Sequence, residues 1–264
     1  MMQITSPSNP SFRRALRLHE SRGRKQQGRI IIFGENEIRR ALTVGVHADQ
    51  MFVAMNRKSD SCNQLIESLK DSDVSVIELP DDMYSKLCFG NRDDELVLVA
   101  KRPDTDLIRF KCNVDSLCVV LEGIEKPGNV GAVFRSAVAA GVDSVFLADP
   151  ITDVYHPNSI RSSLGSVFAA NNFVGTSVEI RDLLINNGIQ VIAARVDAPI
   201  SYTEVNLSKP SAIVVGNEHS GLSSAWTGPE VTGVTIPMEP CIDSLNVAMS
   251  ATLLAYEARR QRSR

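Results

Sequence analysis

A chain of 264 residues, 43% hydrophobic and 22% charged, has the composition of a soluble globular protein with one large domain or two modest ones. No apolar run reaches the length of a membrane helix, and the opening Met1-Met-Gln-Ile-Thr-Ser-Pro lacks the charged-then-apolar pattern of a secretion signal, so a cytoplasmic location is expected. The net charge of −3 would argue against a nucleic-acid partner only if charge were evenly spread. Residues 1–30 instead carry Arg13, Arg14, Arg17, Arg22, Arg24, Lys25 and Arg29 against Glu20 alone, and Arg259, Arg260, Arg262 and Arg264 follow Glu257. A solvated basic helix explains this pattern as well as a phosphate-binding face does. The five cysteines form no C-x-x-C pair and read as reduced, mostly buried thiols. The four histidines are scattered, and no metal-ligand cluster is expected.

In chain order, residues 1–27 read as a basic, proline-started helical arm, mobile ahead of the first folded part. Strands are expected at 30–33, 50–54, 74–79 and 95–100. Helices are expected at 36–44, capped by Asn36, and at 59–71. This pattern suggests a small α/β sandwich, with an exposed charged turn at 92–95. A short, moderately stiff connection at 101–111 leads to a second part. There the apolar run 117–121 reads as a buried parallel strand. It is followed by a helix at 129–140, a strand at 144–147, helical segments at 159–169 and 178–187, strands at 190–194, 212–215 and 234–236, and a last helix at 245–260. Repeated β-α-β alternation predicts a parallel sheet whose ligand lies beyond the carboxyl ends of the strands. The expected division is 1–103 and 104–264.

Three polar segments fall at those strand ends. In the first, Asn129 can cap its helix and Gly131 allows close backbone approach. Arg135 sits six residues on, among apolar neighbours, and needs a partner or a purpose. In Val215-Gly216-Asn217-Glu218, freed backbone N–H groups can hold a carboxylate or an adenine edge. A buried Glu218 there requires a partner, for which Arg135 is a candidate. In the third, Ser244 is a plausible N-cap before the last helix. Ala194 ends a strand and leaves room for a flat ring. Each feature has a plain structural explanation as well: a capped turn, a turn-clamping glutamate, an ion-paired arginine. The dinucleotide fingerprint and the P-loop are both absent.

Together, Asn129-Val-Gly131-Ala-Val-Phe-Arg135, Val215-Gly-Asn-Glu218-His-Ser-Gly221 and Ile236-Pro-Met238 with Ser244-Leu-Asn246-Val resemble, in order, the motifs of the SpoU/TrmH family of RNA 2′-O-methyltransferases in the SPOUT class. Ile4-Thr-Ser-Pro-Ser-Asn9-Pro10 and the segment 28–33 resemble, more loosely, the opening of the family's substrate-binding domain. The resemblance implies a C-terminal SPOUT domain with a trefoil knot, preceded by a small α/β ribosomal-protein-like RNA-binding domain. It implies S-adenosylmethionine as methyl donor, no metal, a homodimer, and RNA as partner, with 23S ribosomal RNA first and transfer RNA second. It makes Arg135, Asn129, Glu218, Ser244 and Asn246 the catalytic set. It makes Ala194, Gly216, Asn217, Glu218, Ile236, Met238, Ser244, Leu245 and Asn246 the cradle for the donor. RNA contacts are expected from Arg13, Arg14, Arg24, Arg135 and Arg161. A non-catalytic RNA-binding protein of the same fold is the competing reading.

Overall fold

The computed structural model of the chain describes residues 2–56, 59–70, 72–88 and 95–263. The charged turn expected at 92–95 lies, apart from Glu95, outside the described residues. The chain divides into two compact units, one of Met1–Pro103 with Tyr155–Ala169, the other of Asp104–Val154 with Ala170–Arg264.

The first unit is built on a mixed sheet. Strands β1 (Met2–Gln3), β2 (Arg29–Phe33), β3 (Ala48–Ala54), β4 (Ser75–Leu79) and β5 (Leu96–Lys101) lie in the order β1-β4-β3-β5-β2. Helices α1 (Pro10–Arg17), α2 (Ser21–Gln27), α3 (Glu35–Thr43), α4 (Asp60–Ser68) and α5 (Asp81–Leu87) surround it. Residues 2–27 are an integral part of this unit, not a mobile arm. Met2 and Gln3 pair with β4, and Asn9 accepts from the Ser11 N–H to cap α1. Phe12, Ala15 and Leu18 then bury one face of α1 beneath Ile31, Phe52 and Leu87, which is what three-residue spacing does on a helix. Residues 36–44 were expected to start at Asn36. The helix instead starts at Glu35 after Gly34, whose φ of 87° makes it the turning point.

The second unit is a seven-stranded, wholly parallel sheet. Its elements run β6 (Leu117–Glu122), α6 (Pro127–Ala140), β7 (Ser144–Ala148), β8 (Asn171–Gly175), α8 (Ser177–Asn186), β9 (Gln190–Ala194), β10 (Ile200–Ser201), β11 (Ser211–Val215), β12 (Val231–Thr235) and α9 (Val247–Arg262), with α7 (Pro157–Ser162) between β7 and β8 in sequence. The sheet order is β10-β12-β9-β11-β6-β7-β8. Strands β6, β7 and β11 are buried at every residue, as continuous apolar runs in a sheet covered on both faces must be. One face carries α8 and Trp226; the other carries α6 and α9, which pack on each other. The end of the chain is tied down. The guanidinium of Arg262 donates to the carbonyls of Leu207, Lys209, Asp115 and Ser116, and Gln261 donates to Val205 and accepts from the Leu207 N–H. Among the described residues no helix is long and apolar enough to cross a membrane.

The segment 155–169, read from the sequence as part of 104–264, packs with the first unit. Helix α7 lies on β2, Tyr155 stacks on Phe168 at 5.9 Å, and the Arg102 guanidinium sits 5.3 Å from the Tyr155 ring centre. The single helix expected at 159–169 is broken. Leu164 and Gly165 take φ of 51° and 79°, and a 3-10 turn (Ser166–Phe168) follows. A Cβ on Gly165 would stand 3.0 Å from the Glu37 Cα, and Arg40 donates to the Leu164 carbonyl, so α3 fixes the break.

Candidate active site

From β6 the chain runs outward to β7 and β8, then returns to β9 on the far side of β11. Crevices for ligands form where strand order reverses in this way. The loops leaving β9, β11 and β12 enclose a cavity of about 510 Å3, a size usual for small-molecule sites. Ala194 reaches it from β9, Gly216, Asn217 and Glu218 from β11, and Ile236, Met238, Ser244 and Leu245 from the loop after β12. Eight of the nine expected cradle residues therefore share one cavity. Asn246 stands beside them, bonded to Glu218.

The polar centre is Glu218. One carboxylate oxygen accepts from the side-chain amides of Asn129, at 2.6 Å, and Asn246, at 2.7 Å; the other lies 3.3 Å from the Lys126 ammonium. Burial pushes the Glu218 carboxyl up, but the Lys126 ammonium and the hydrogen bonds from the Val247 N–H and Asn129 outweigh it, and its pKa lies below the ordinary value. The partner of Glu218 is thus Lys126, not Arg135. Asn129 and Ser244 do not cap their helices. Lys126 occupies the N-cap position of α6 with Pro127 after it, which leaves the Asn129 amide free to reach Glu218. Asn246 caps α9 by accepting from the Ala248 N–H, while its NH2 serves Glu218.

Asn217 holds the β11 loop to the β6–α6 strip. Its NH2 donates to the Gly123 carbonyl and to Glu125, and its side-chain carbonyl accepts from the His219 N–H. Gly216 cannot be replaced without moving that loop, since a Cβ would stand 2.4 Å from the Gly221 carbonyl oxygen. His219 is exposed.

Arg135 is exposed on α6 and forms no ion pair among the described residues. Six residues from Asn129, it points about 120° away around the helix and stands roughly 9 Å along it. Arg161 is exposed in the first unit, with Arg13 and Arg14 on the outer face of α1. Arg24 is fully buried and donates to the Leu18 and His19 carbonyls, closing the end of α1, so it is withdrawn as an RNA contact. Lys126, Arg195, Asp197 and Asp243 were missed. The acid that needs Lys126 lies 92 residues away, so no local pattern marks the pair.

The cavity suits the donor that the motifs imply. Val215, Leu222 and Leu245 offer apolar surface to a flat ring, while Glu218 and Asp243 add carboxylates to the lining, a charge that complements a cationic ligand. Comparison with known proteins agrees. Residues 116–256 match the model of the SpoU rRNA Methylase family. A solved structure described as an RNA 2′-O ribose methyltransferase is 38% identical, with a TM-score of 0.84 and all of both chains covered. The SpoU methyltransferase AviRb of Streptomyces viridochromogenes, solved with AdoMet, is 28% identical with a TM-score of 0.87, over 97% of this chain and 99% of that one. A 23S rRNA (uridine(2479)-2′-O)-methyltransferase of the same organism is 34% identical over 64% of this chain and 61% of its own length.

Proposed function

The chain belongs to the SpoU rRNA methylase family, and on that premise we propose that it methylates a ribose 2′-hydroxyl of 23S ribosomal RNA. It is an RNA 2′-O-methyltransferase that uses S-adenosylmethionine. The observation that carries the site assignment is the convergence of all three motifs on Glu218 and the cavity beside it.

When bound, S-adenosylmethionine supplies a methyl group on a positively charged sulfur, open to in-line attack by an oxygen nucleophile. The residues of this chain hold and orient. Gly216, Asn217, Ile236, Met238 and Leu245 cradle the donor, with Ala194 leaving room for adenine. Glu218, fixed by Lys126, Asn129 and Asn246, keeps a carboxylate at the cavity wall. Arg135 orients the ribose and its phosphate through its fork of N–H groups and its charge. A guanidinium resists deprotonation at ordinary pH, so the proton of the hydroxyl passes to water or an RNA phosphate. Arg13, Arg14 and Arg161 supply phosphate contacts from the first unit.

The enzyme acts as a homodimer, in the cytoplasm where ribosomes are. Met249, Leu253 and Tyr256 are 61%, 41% and 46% exposed at i, i+4 and i+7 of α9, an apolar stripe of the kind a partner covers. Helix α9 packs on α6, which carries Arg135, an arginine without an ion pair among the described residues, and the proposal extends to Arg135 completing the partner's site. A trefoil knot fits the course of the chain: α9 returns to α6, β6 and β11 although β12 lies beyond β9.

The test is methyl transfer from labelled S-adenosylmethionine to separated ribosomal and transfer RNA. Label in 23S RNA at one alkali-resistant dinucleotide, lost with Arg135→Ala, is the expected result. Label confined to transfer RNA would move the substrate to that class, and S-adenosylmethionine binding without transfer to any RNA would favour a binding protein.

A further inference from the structure

Glu122 ends β6 and is 6% exposed, yet neither the motifs nor the donor cavity include it. Its carboxylate gathers three donors. One oxygen accepts from the Ser177 hydroxyl and the Ser223 hydroxyl, both at 2.6 Å; the other accepts from the Ser223 N–H at 2.8 Å. Ser177 opens α8, whereas Ser223 closes the loop that begins at Gly216 and carries Asn217 and Glu218. The other end of the loop is held next door, where Asn217 donates to the Gly123 carbonyl and to Glu125. Gly123 makes this possible with a φ of 61° that turns the strip immediately after Glu122. Two neighbouring residues on one strand end therefore clamp both ends of the loop that walls the cavity.

We propose that Glu122 is a positioning residue, which sets donor affinity by fixing Ser223 and so the 216–223 loop. It reaches no reacting atom and acts through that loop. A buried carboxylate left with fewer donors is costly, which is why such a hub specifies one loop conformation. Glutamine can keep the geometry: its carbonyl accepts from the Ser223 N–H while its NH2 donates to the two hydroxyl oxygens, which rotate to receive it.

The inference rests on reading the cavity as the donor site. The experiment measures S-adenosylmethionine binding by calorimetry, without RNA, alongside melting temperature, for the wild type, Glu122→Ala, Glu122→Gln, Ser177→Ala and Ser223→Ala. Each serine variant removes one hydrogen bond from Glu122, so both lower the melting temperature, but only Ser223 belongs to the loop. Ser223→Ala is expected to weaken binding about five- to tenfold, Ser177→Ala less than about twofold, and Glu122→Gln to stay close to wild type. Equal effects of the two serine variants would reduce Glu122 to a structural hub and overturn the proposal. Wild-type protein that fails to bind the donor would instead overturn the reading of the cavity itself. If Glu122→Ala does not fold, the serine pair and Glu122→Gln decide the matter.

Discussion

Glu218 draws donors from two segments far from it in sequence, Lys126 with Asn129 and Asn246 with Val247, and its depressed pKa follows from them. A carboxyl held below its unfolded value adds stability that is fully present above that unfolded value and is lost as pH falls through the folded one. Lys126→Ala is therefore expected to raise the Glu218 pKa toward the ordinary carboxylate range, read from its side-chain carbon shift in an NMR titration. It should also move the acid limb of the stability curve to higher pH. The thiols give a second residue-scale prediction. Burial pushes the Cys62 thiol up to about 11 and Cys118 higher still, whereas Cys241 is exposed on the loop before α9. Cys241 should react with a disulfide reagent at neutral pH in the folded protein, and Cys62 and Cys118 only on unfolding. Asn129, Glu218 and Asn246 were legible as motif residues, but their bonds to one another and the Lys126 ammonium beside them were not. Arg135 looked like the partner of Glu218 because both needed one, and helical phase, which turns Arg135 away from Asn129, decides otherwise.

At the scale of elements, the buried strands declared themselves because a parallel sheet covered on both faces leaves runs such as Leu117–Glu122 apolar throughout. The short edge strands β1 and β10, two residues each, left no pattern to read. Charge misled at the N-terminus. Arg13, Arg14 and Arg17 suggested a solvated arm, and the buried stripe Phe12, Ala15, Leu18 on the same helix passed unnoticed between them. Phe12→Ala is expected to cost about 3–5 kcal/mol in denaturant unfolding of the first unit, as loss of a buried phenylalanine does; a cost below 1 kcal/mol would restore the mobile arm. The broken helix at 157–168 was hidden for a related reason. Leu164 adopts a left-handed conformation that its residue type disfavours, and the bond from Arg40 of α3, 124 residues earlier in sequence, holds it there.

At the scale of the molecule, the homodimer proposed from the apolar stripe on α9 predicts that Leu253→Asp with Tyr256→Glu gives monomers by light scattering at micromolar concentration. An unchanged mass would sink the assembly. Arg262 bears on stability in the same unit: it satisfies four carbonyls at once, and Arg262→Ala is expected to cost about 2–4 kcal/mol in chemical denaturation. The sequence reading divides the chain after Pro103, where the first run of elements closes. The return of 155–169 to that first unit was not legible, because it is a matter of long-range packing of Tyr155 and Phe168. That return has a consequence for the order of birth. A nascent chain that has exposed only its first 103 residues lacks the strap its first unit needs, so the N-terminal unit must wait for residue 169, several seconds later at roughly 5–20 residues per second. The second unit waits longer still, for Gln261 and Arg262 at the far end. Neither unit can complete its packing in the order in which its residues are made.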